Sequence, residues 1–116
     1  STARWKVVVL HHPPFSSGTR HGSSPEFRWP FRQWGADLVV SGHEHNYERV
    51  VSGGLTYVVD GSGGKELTAL ASRVPGFQAG DDADFGALFL TATDAGLTGE
   101  FRTVDGRVAD RFVISP

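Results

Sequence analysis

The sequence contains no cysteine and no methionine. Without cysteine there is no disulfide framework and no thiolate metal site, and the compartment stays open. Without methionine, Ser1 is not an initiator as written. The chain therefore reads as a trimmed chain, a processed product or a piece of something longer, unless an initiator was removed ahead of a small residue. No charge of one sign dominates: 11 Lys and Arg stand against 13 Asp and Glu, for a net charge of −2. That implies no general attraction to nucleic acid or to a membrane surface. No apolar run approaches the ~20 residues of a membrane-spanning helix, and no signal-peptide pattern opens the chain. Repeats and low-complexity tracts are missing as well.

What is there suits a single domain over residues 1–116, with an ordinary 39% of hydrophobic residues. Trp5-Lys6-Val7-Val8-Val9-Leu10 is a short apolar run rich in β-branched residues and predicts a buried strand. Pro13 and Pro14 stop it. After a polar loop from Ser16 to Ser24, Ser24-Pro25-Glu26 predicts a helix start with Ser24 as N-cap. That helix carries Trp29, Phe31 and Trp34, is broken by Pro30 and ends at Gly35. Asp37-Leu38-Val39-Val40-Ser41 predicts the next strand. Val50-Val51 and Leu55 to Val59 predict a pair turned at Gly53-Gly54. Residues 61–84 read as a long surface excursion with a short helix around Glu66 to Ser72. From Ala87 to Ile114 the pattern is a meander, turned at Asp94-Ala95-Gly96 and at Asp105-Gly106.

Two stretches carry the chemistry. Ser41-Gly42-His43-Glu44-His45-Asn46-Tyr47-Glu48-Arg49 follows one apolar run, and His11-His12-Pro13-Pro14-Phe15 follows another. A neutral imidazole is the commonest transition-metal ligand in proteins. Side chains two apart on an extended segment face the same way. His43 and His45 are therefore expected to share a cleft, while His12, adjacent to His11, is expected to point away into a packing or surface role. A lone histidine after a strand is usually surface or satisfied core. Two at i and i+2, with a third at another strand end, read as two walls of one metal site.

The block Val8-Val9-Leu10-His11-His12-Pro13-Pro14-Phe15 and the block Gly42-His43-Glu44-His45 with Tyr47-Glu48-Arg49 resemble the last two motif blocks of the calcineurin-like metallophosphoesterases. The nearest branch is the purple acid phosphatases and their bacterial relatives. The resemblance runs on through the glycine-rich turn Asp60-Gly61-Ser62-Gly63-Gly64. It implies an α+β, β-rich fold: half of a four-layer αββα sandwich, with a mixed sheet ending in an antiparallel meander. It also implies a centre of two divalent or trivalent transition metals, such as zinc, iron or manganese, with His11 and His43 on one metal and His45 on the other. The family's earlier blocks supply an aspartate and a histidine, a bridging aspartate, and an asparagine followed by a histidine. None of those motifs occurs here, so the likeness is to the C-terminal half of the domain.

In the purple acid phosphatases, the region after the first histidine block contacts the substrate phosphate. Arg20 and His21 fall there. Arginine can grip two phosphate oxygens, and histidine can donate a proton to a leaving alkoxide. The implied function is a metal-dependent phosphatase that hydrolyses small phosphate monoesters through a metal-bound hydroxide. A phosphodiesterase of the same superfamily and a non-catalytic metal-binding fragment are the alternatives. Asn46, Tyr47, Glu48 and Arg49 are expected to hold the loop and orient imidazoles. Asp60 is a turn aspartate or a carboxylate contact, and Asp81, Asp82 and Asp84 read as a solvated run. Neither nucleic acid nor membrane is an expected partner. One sheet with a single short helix would leave an apolar face bare, so a preceding N-terminal segment, a second copy in a homodimer or a local rearrangement of the meander is expected to cover it, the first two before the third.

Overall fold

The valines that open the chain form an edge strand. The computed structural model describes residues 1–116 and places β1 at Val7–Val9, β2 at Leu38–Ser41, β3 at Tyr47–Ser52, β4 at Leu55–Asp60 and β5 at Phe77–Asp81. These build a mixed sheet in the order β1-β2-β4-β3-β5. The pairs β1/β2 and β2/β4 are parallel, and β3 lies antiparallel to both β4 and β5. β6 (Gly86–Thr93), β7 (Gly96–Thr103) and β8 (Val108–Ile114) form a separate antiparallel sheet in chain order. The expected β-rich architecture, a mixed sheet followed by an antiparallel meander, is borne out.

Several local expectations are corrected. β1 is not buried: Val9 is 77% exposed, because only β2 pairs with this strand. The helix expected from Ser24 to Gly35 shrinks to one 3-10 turn at Pro25–Phe27, and the Ser24 side chain makes no capping bond. Pro30 lacks the N–H that a continuing helix needs, and the aromatic side chains of Phe27, Trp29, Phe31 and Trp34 cluster against one another instead. No helix forms at Glu66–Ser72 either. Leu70 makes an isolated antiparallel bridge to Gly18, and the expected excursion contains the strand β5. The turns hold: Gly53 and Gly54 both take positive φ between β3 and β4, as a two-residue hairpin requires.

Of the three covers expected for the apolar face, the meander is the one seen here. The meander folds back over the first sheet and covers it. Leu38, Tyr47 and Val58 from the mixed sheet meet Leu97, Phe101 and Phe112 from the meander in one buried cluster. The Tyr47 and Phe101 rings stack at 4.2 Å. On the opposite face, Phe31 and Ala36 cover Val39 and Leu55. Strand alternation explains the division: Leu38 and Val39 are neighbours on β2 and point to opposite sides.

A polar clasp closes the sandwich at one side. Asp110 on β8 accepts hydrogen bonds from the Tyr47 hydroxyl at 2.6 Å and from Arg49 Nε and Nη2 at 2.8 and 3.1 Å. Burial pushes the Asp110 carboxyl up, but the bonds from Arg49 and Tyr47 outweigh it and hold it below its ordinary value. A depressed carboxyl contributes stability above its unfolded pKa of about 3.9 and loses it as pH falls through the lower folded value. Asp110→Ala leaves the phenol and guanidinium without their partner and is expected to lower the unfolding free energy by about 3 kcal/mol. Asp110→Asn should flatten the loss of stability that the parent shows below about pH 4. Urea titrations check both, and equal midpoints for the parent and the alanine variant contradict the clasp.

Candidate metal centre and its supporting loops

The parallel strands β1 and β2 deliver their histidines at the same end of the sheet. Leu10 N–H bonds Val40 O at 3.1 Å and Gly42 N–H bonds His11 O at 3.0 Å, so the pairing runs on into both histidine loops. His43 has φ 69° and is the sole non-glycine residue with positive φ. The stretch 43–45 is therefore a tight turn and not the extended segment expected from its spacing. This turn separates His43 from His45 and directs Glu44 into the interior.

The structure brings His11, His12 and His43 together. Their ligating nitrogens all lie within 4.8 Å of one another, and His11 Nε2 and His43 Nδ1 are hydrogen-bonded at 3.0 Å. His12 was expected to point away. Instead its ring lies 4.6 Å from that of His43 and stacks on Phe27. The His21 ring stacks on His43 at 3.8 Å with an interplanar angle of 27°. His45 stands outside this cluster. Its Nδ1 is 2.9 Å from the Glu66 carbonyl oxygen, which only accepts, so Nδ1 carries the hydrogen, and in the neutral tautomer Nε2 has the lone pair. Arg20 is ion-paired with Glu66 at 3.1 Å on the surface.

The donor set fits one transition-metal ion. Ligand bonds near 2.1 Å keep two nitrogens on one ion within about 4.2 Å of each other, so small ring rotations bring the three imidazoles onto it. The set does not supply the carboxylate that would bridge a second ion. The nearest acid in sequence, Glu44, points the other way. It is fully buried and accepts hydrogen bonds from His21 N–H, from Gly22 N–H at 2.8 Å and from the Thr68 hydroxyl at 2.8 Å. Burial pushes its carboxyl up, but those three donors bring it below its ordinary value. Glu48 is likewise fully buried and binds Ser17 through its N–H at 2.7 Å and its hydroxyl at 2.5 Å. Here burial prevails over the Ser17 bonds and leaves the carboxyl above its ordinary value. Both acids thus hold the loop that carries Arg20 and His21.

Asp60 lines a cavity of about 580 Å³ with His11 and Gly42. One of its oxygens accepts the Leu88 N–H and the other is buried without a partner. Burial raises its carboxyl above the ordinary value. Asp81 and Asp84 pair with Arg107 and lie away from the histidines. The sequence reading did not single out Glu44 as a loop anchor or place His12 in the cluster. An acid framed by two histidines was the available hint for Glu44; nothing in the sequence shows that it is buried.

Burial and then the neighbouring His21, His12 and His11 hold the His43 imidazole below its ordinary value. The sign follows: the fold favours the neutral ring, so stability is lost as pH falls below the unfolded value of about 6.5. In an NMR titration of the metal-free chain, His43 is expected to titrate below about 6.5, and His21→Gln is expected to raise its midpoint. A midpoint unmoved by that substitution contradicts the coupling.

Residues 1–47 match the family model of the calcineurin-like phosphoesterases. A curated relative, the probable inactive purple acid phosphatase 24 of Arabidopsis thaliana, is 30% identical over 98% of the chain and 23% of its own length. The nucleotide pyrophosphatase/phosphodiesterase of Hordeum vulgare is 26% identical over 95% of the chain and 38% of its own length. Among solved structures, the purple acid phosphatase PPD1 from yellow lupin (Lupinus luteus) seeds superposes with a TM-score of 0.83 at 27% identity. That match covers 96% of this chain and 25% of that one. The chain thus spans between about a quarter and two fifths of the length of these three proteins.

Proposed function

The chain belongs to the calcineurin-like metallophosphoesterases, and on that premise we propose that it forms part of a metal-dependent phosphatase acting on small phosphate monoesters. The observation that carries the reading is the meeting of His11, His43 and His21 at the shared end of β1 and β2. His11 and His43 are the proposed ligands of one ion, and His45, with Nε2 left free, of another. Zinc, iron and manganese suit these donors. A bound metal polarises the phosphoryl oxygens and makes a water nucleophilic near neutral pH.

The chain's own groups supply the remaining steps. Arg20 is exposed and held by a single surface ion pair, an interaction worth at most about 1 kcal/mol, so it can turn to grip phosphoryl oxygens. In this reading His21, which stacks over His43, donates a proton to the leaving oxygen as the ester P–O bond breaks and the oxygen of a water that has given a proton to solvent bonds to phosphorus. The bridging carboxylate comes, in this reading, from outside these residues: a preceding segment of a longer protein or a second copy.

Two further readings have support. The barley relative's printed name favours a diesterase. The relatives named inactive, together with a histidine cluster that has no carboxylate of its own, favour a metal-binding piece without turnover. Metal analysis and hydrolysis of p-nitrophenyl phosphate against bis(p-nitrophenyl) phosphate separate the three. The expected result is metal retained by the chain, lost in His11→Ala and His43→Ala, with faster turnover of the monoester. Faster turnover of the diester, or metal without turnover of either, contradicts the phosphatase reading.

A further inference from the structure

We propose that Glu44 is a positioning residue that sets the His21 imidazole over the histidine cluster. What His21 then does to a substrate rests on the phosphatase reading; where His21 stands does not.

The argument begins with a carboxylate that has no access to water. Glu44 is 0% exposed. A buried carboxylate persists only where donors replace its hydration shell. Glu44 finds three, and none comes from its own turn. Oε1 accepts the N–H of His21 and the N–H of Gly22, and Oε2 accepts the Thr68 hydroxyl. Two successive amides that converge on one oxygen fix the backbone of the loop at the residue that bears the imidazole. A side chain tethered only by its own rotamers would be free to leave His43. Tethered through its backbone, the His21 ring lies 3.8 Å from the His43 ring.

The surroundings are shaped for this contact. Gly18, on the same loop, passes so close that an added Cβ would overlap the Glu44 carboxyl group. His43 takes the left-handed conformation that turns the next side chain inward while its own imidazole stays with His11 and His12. A left-handed non-glycine residue persists where its surroundings over-determine it, and the bonds to Glu44 hold the residue that follows it. Thr68 extends the arrangement. Its hydroxyl also accepts the His45 N–H at 3.1 Å, so one carboxylate ties the His21 loop and the Thr68 segment to the turn that carries His43 and His45.

NMR of the metal-free chain and steady-state kinetics with p-nitrophenyl phosphate test the proposal together. In the parent, the His21 and Gly22 amide protons are expected far downfield, as bonds to a carboxylate require, with cross-peaks between the His21 and His43 rings. Glu44→Ala should lose those cross-peaks. Glu44→Gln, whose single carbonyl oxygen can still accept both amides, should restore them. In kinetics, Glu44→Ala should lower kcat by the 10²–10⁴-fold typical of a lost general acid, with KM nearly unchanged. The Glu44→Ala, His21→Ala double variant should be no slower than His21→Ala alone. Ring cross-peaks that survive Glu44→Ala overturn the proposal, as does additive loss in the double variant. If Glu44→Ala does not fold, the parent decides alone: ordinary His21 and Gly22 amide shifts overturn the proposal. A parent chain that shows the cross-peaks but hydrolyses nothing sinks the phosphatase reading and leaves the positioning intact.

Discussion

Two carboxylates without solvent, Glu44 and Glu48, decide where the histidine loops can lie. Each arises from the stretch that leaves β2 and enters β3, and each points into the interior. Burying an ion costs several kcal/mol unless hydrogen-bond donors replace the lost water. The donors come from the segment that follows His11 and His12: Ser17 for Glu48, and His21 with Gly22 for Glu44. Strand pairing brings the roots of the two loops together, but hydrogen bonds to buried acids fix their tips. With their oxygens held by these donors, neither acid faces the imidazole cluster beside them.

The scaffold beneath this end of the sheet is held by different means on its two faces. One face is closed by the meander, through the Tyr47 and Phe101 rings and the Asp110 clasp. The other is closed by Phe31 and Ala36, brought over by an irregular aromatic segment. Both closures bury residues of β2, the strand that leads into His43. Packing therefore fixes the direction from which the turn at His43 starts, and the positive φ there does the rest.

Much of the fold was legible because its signals are local. Valine-rich runs marked β1, β2 and β4, and Gly53-Gly54 and Asp105-Gly106 marked hairpins by the φ values that only certain residues accept. The helices failed because start signals such as Ser24-Pro25 say nothing about whether the following residues can continue one, and Pro30 with four aromatic residues could not. The meander as a cover stayed one alternative among three, since alternation shows that a strand has an apolar face but not which sheet meets it. For the candidate site, the residue types and the motif blocks pointed to the ends of β1 and β2, where His11 and His43 meet. Period-2 spacing misplaced His45 relative to His43, because it assumes extended backbone where φ is 69°, and misplaced His12 relative to His11, where the chain bends after β1. Burial of Glu44 and Glu48 left no mark in the sequence, since a carboxylate reads as surface until its donors are known.

Amide hydrogen exchange of Ser17, His21 and Gly22 tests the central claim most directly. These N–H groups sit in a loop and bond to buried carboxylates instead of to a strand partner. If the two acids hold the loop, the three amides exchange as slowly as those of β2 and β4, while Arg20 beside them exchanges quickly. Exchange of all three at the rate of an open loop, with the strands protected, would contradict the account.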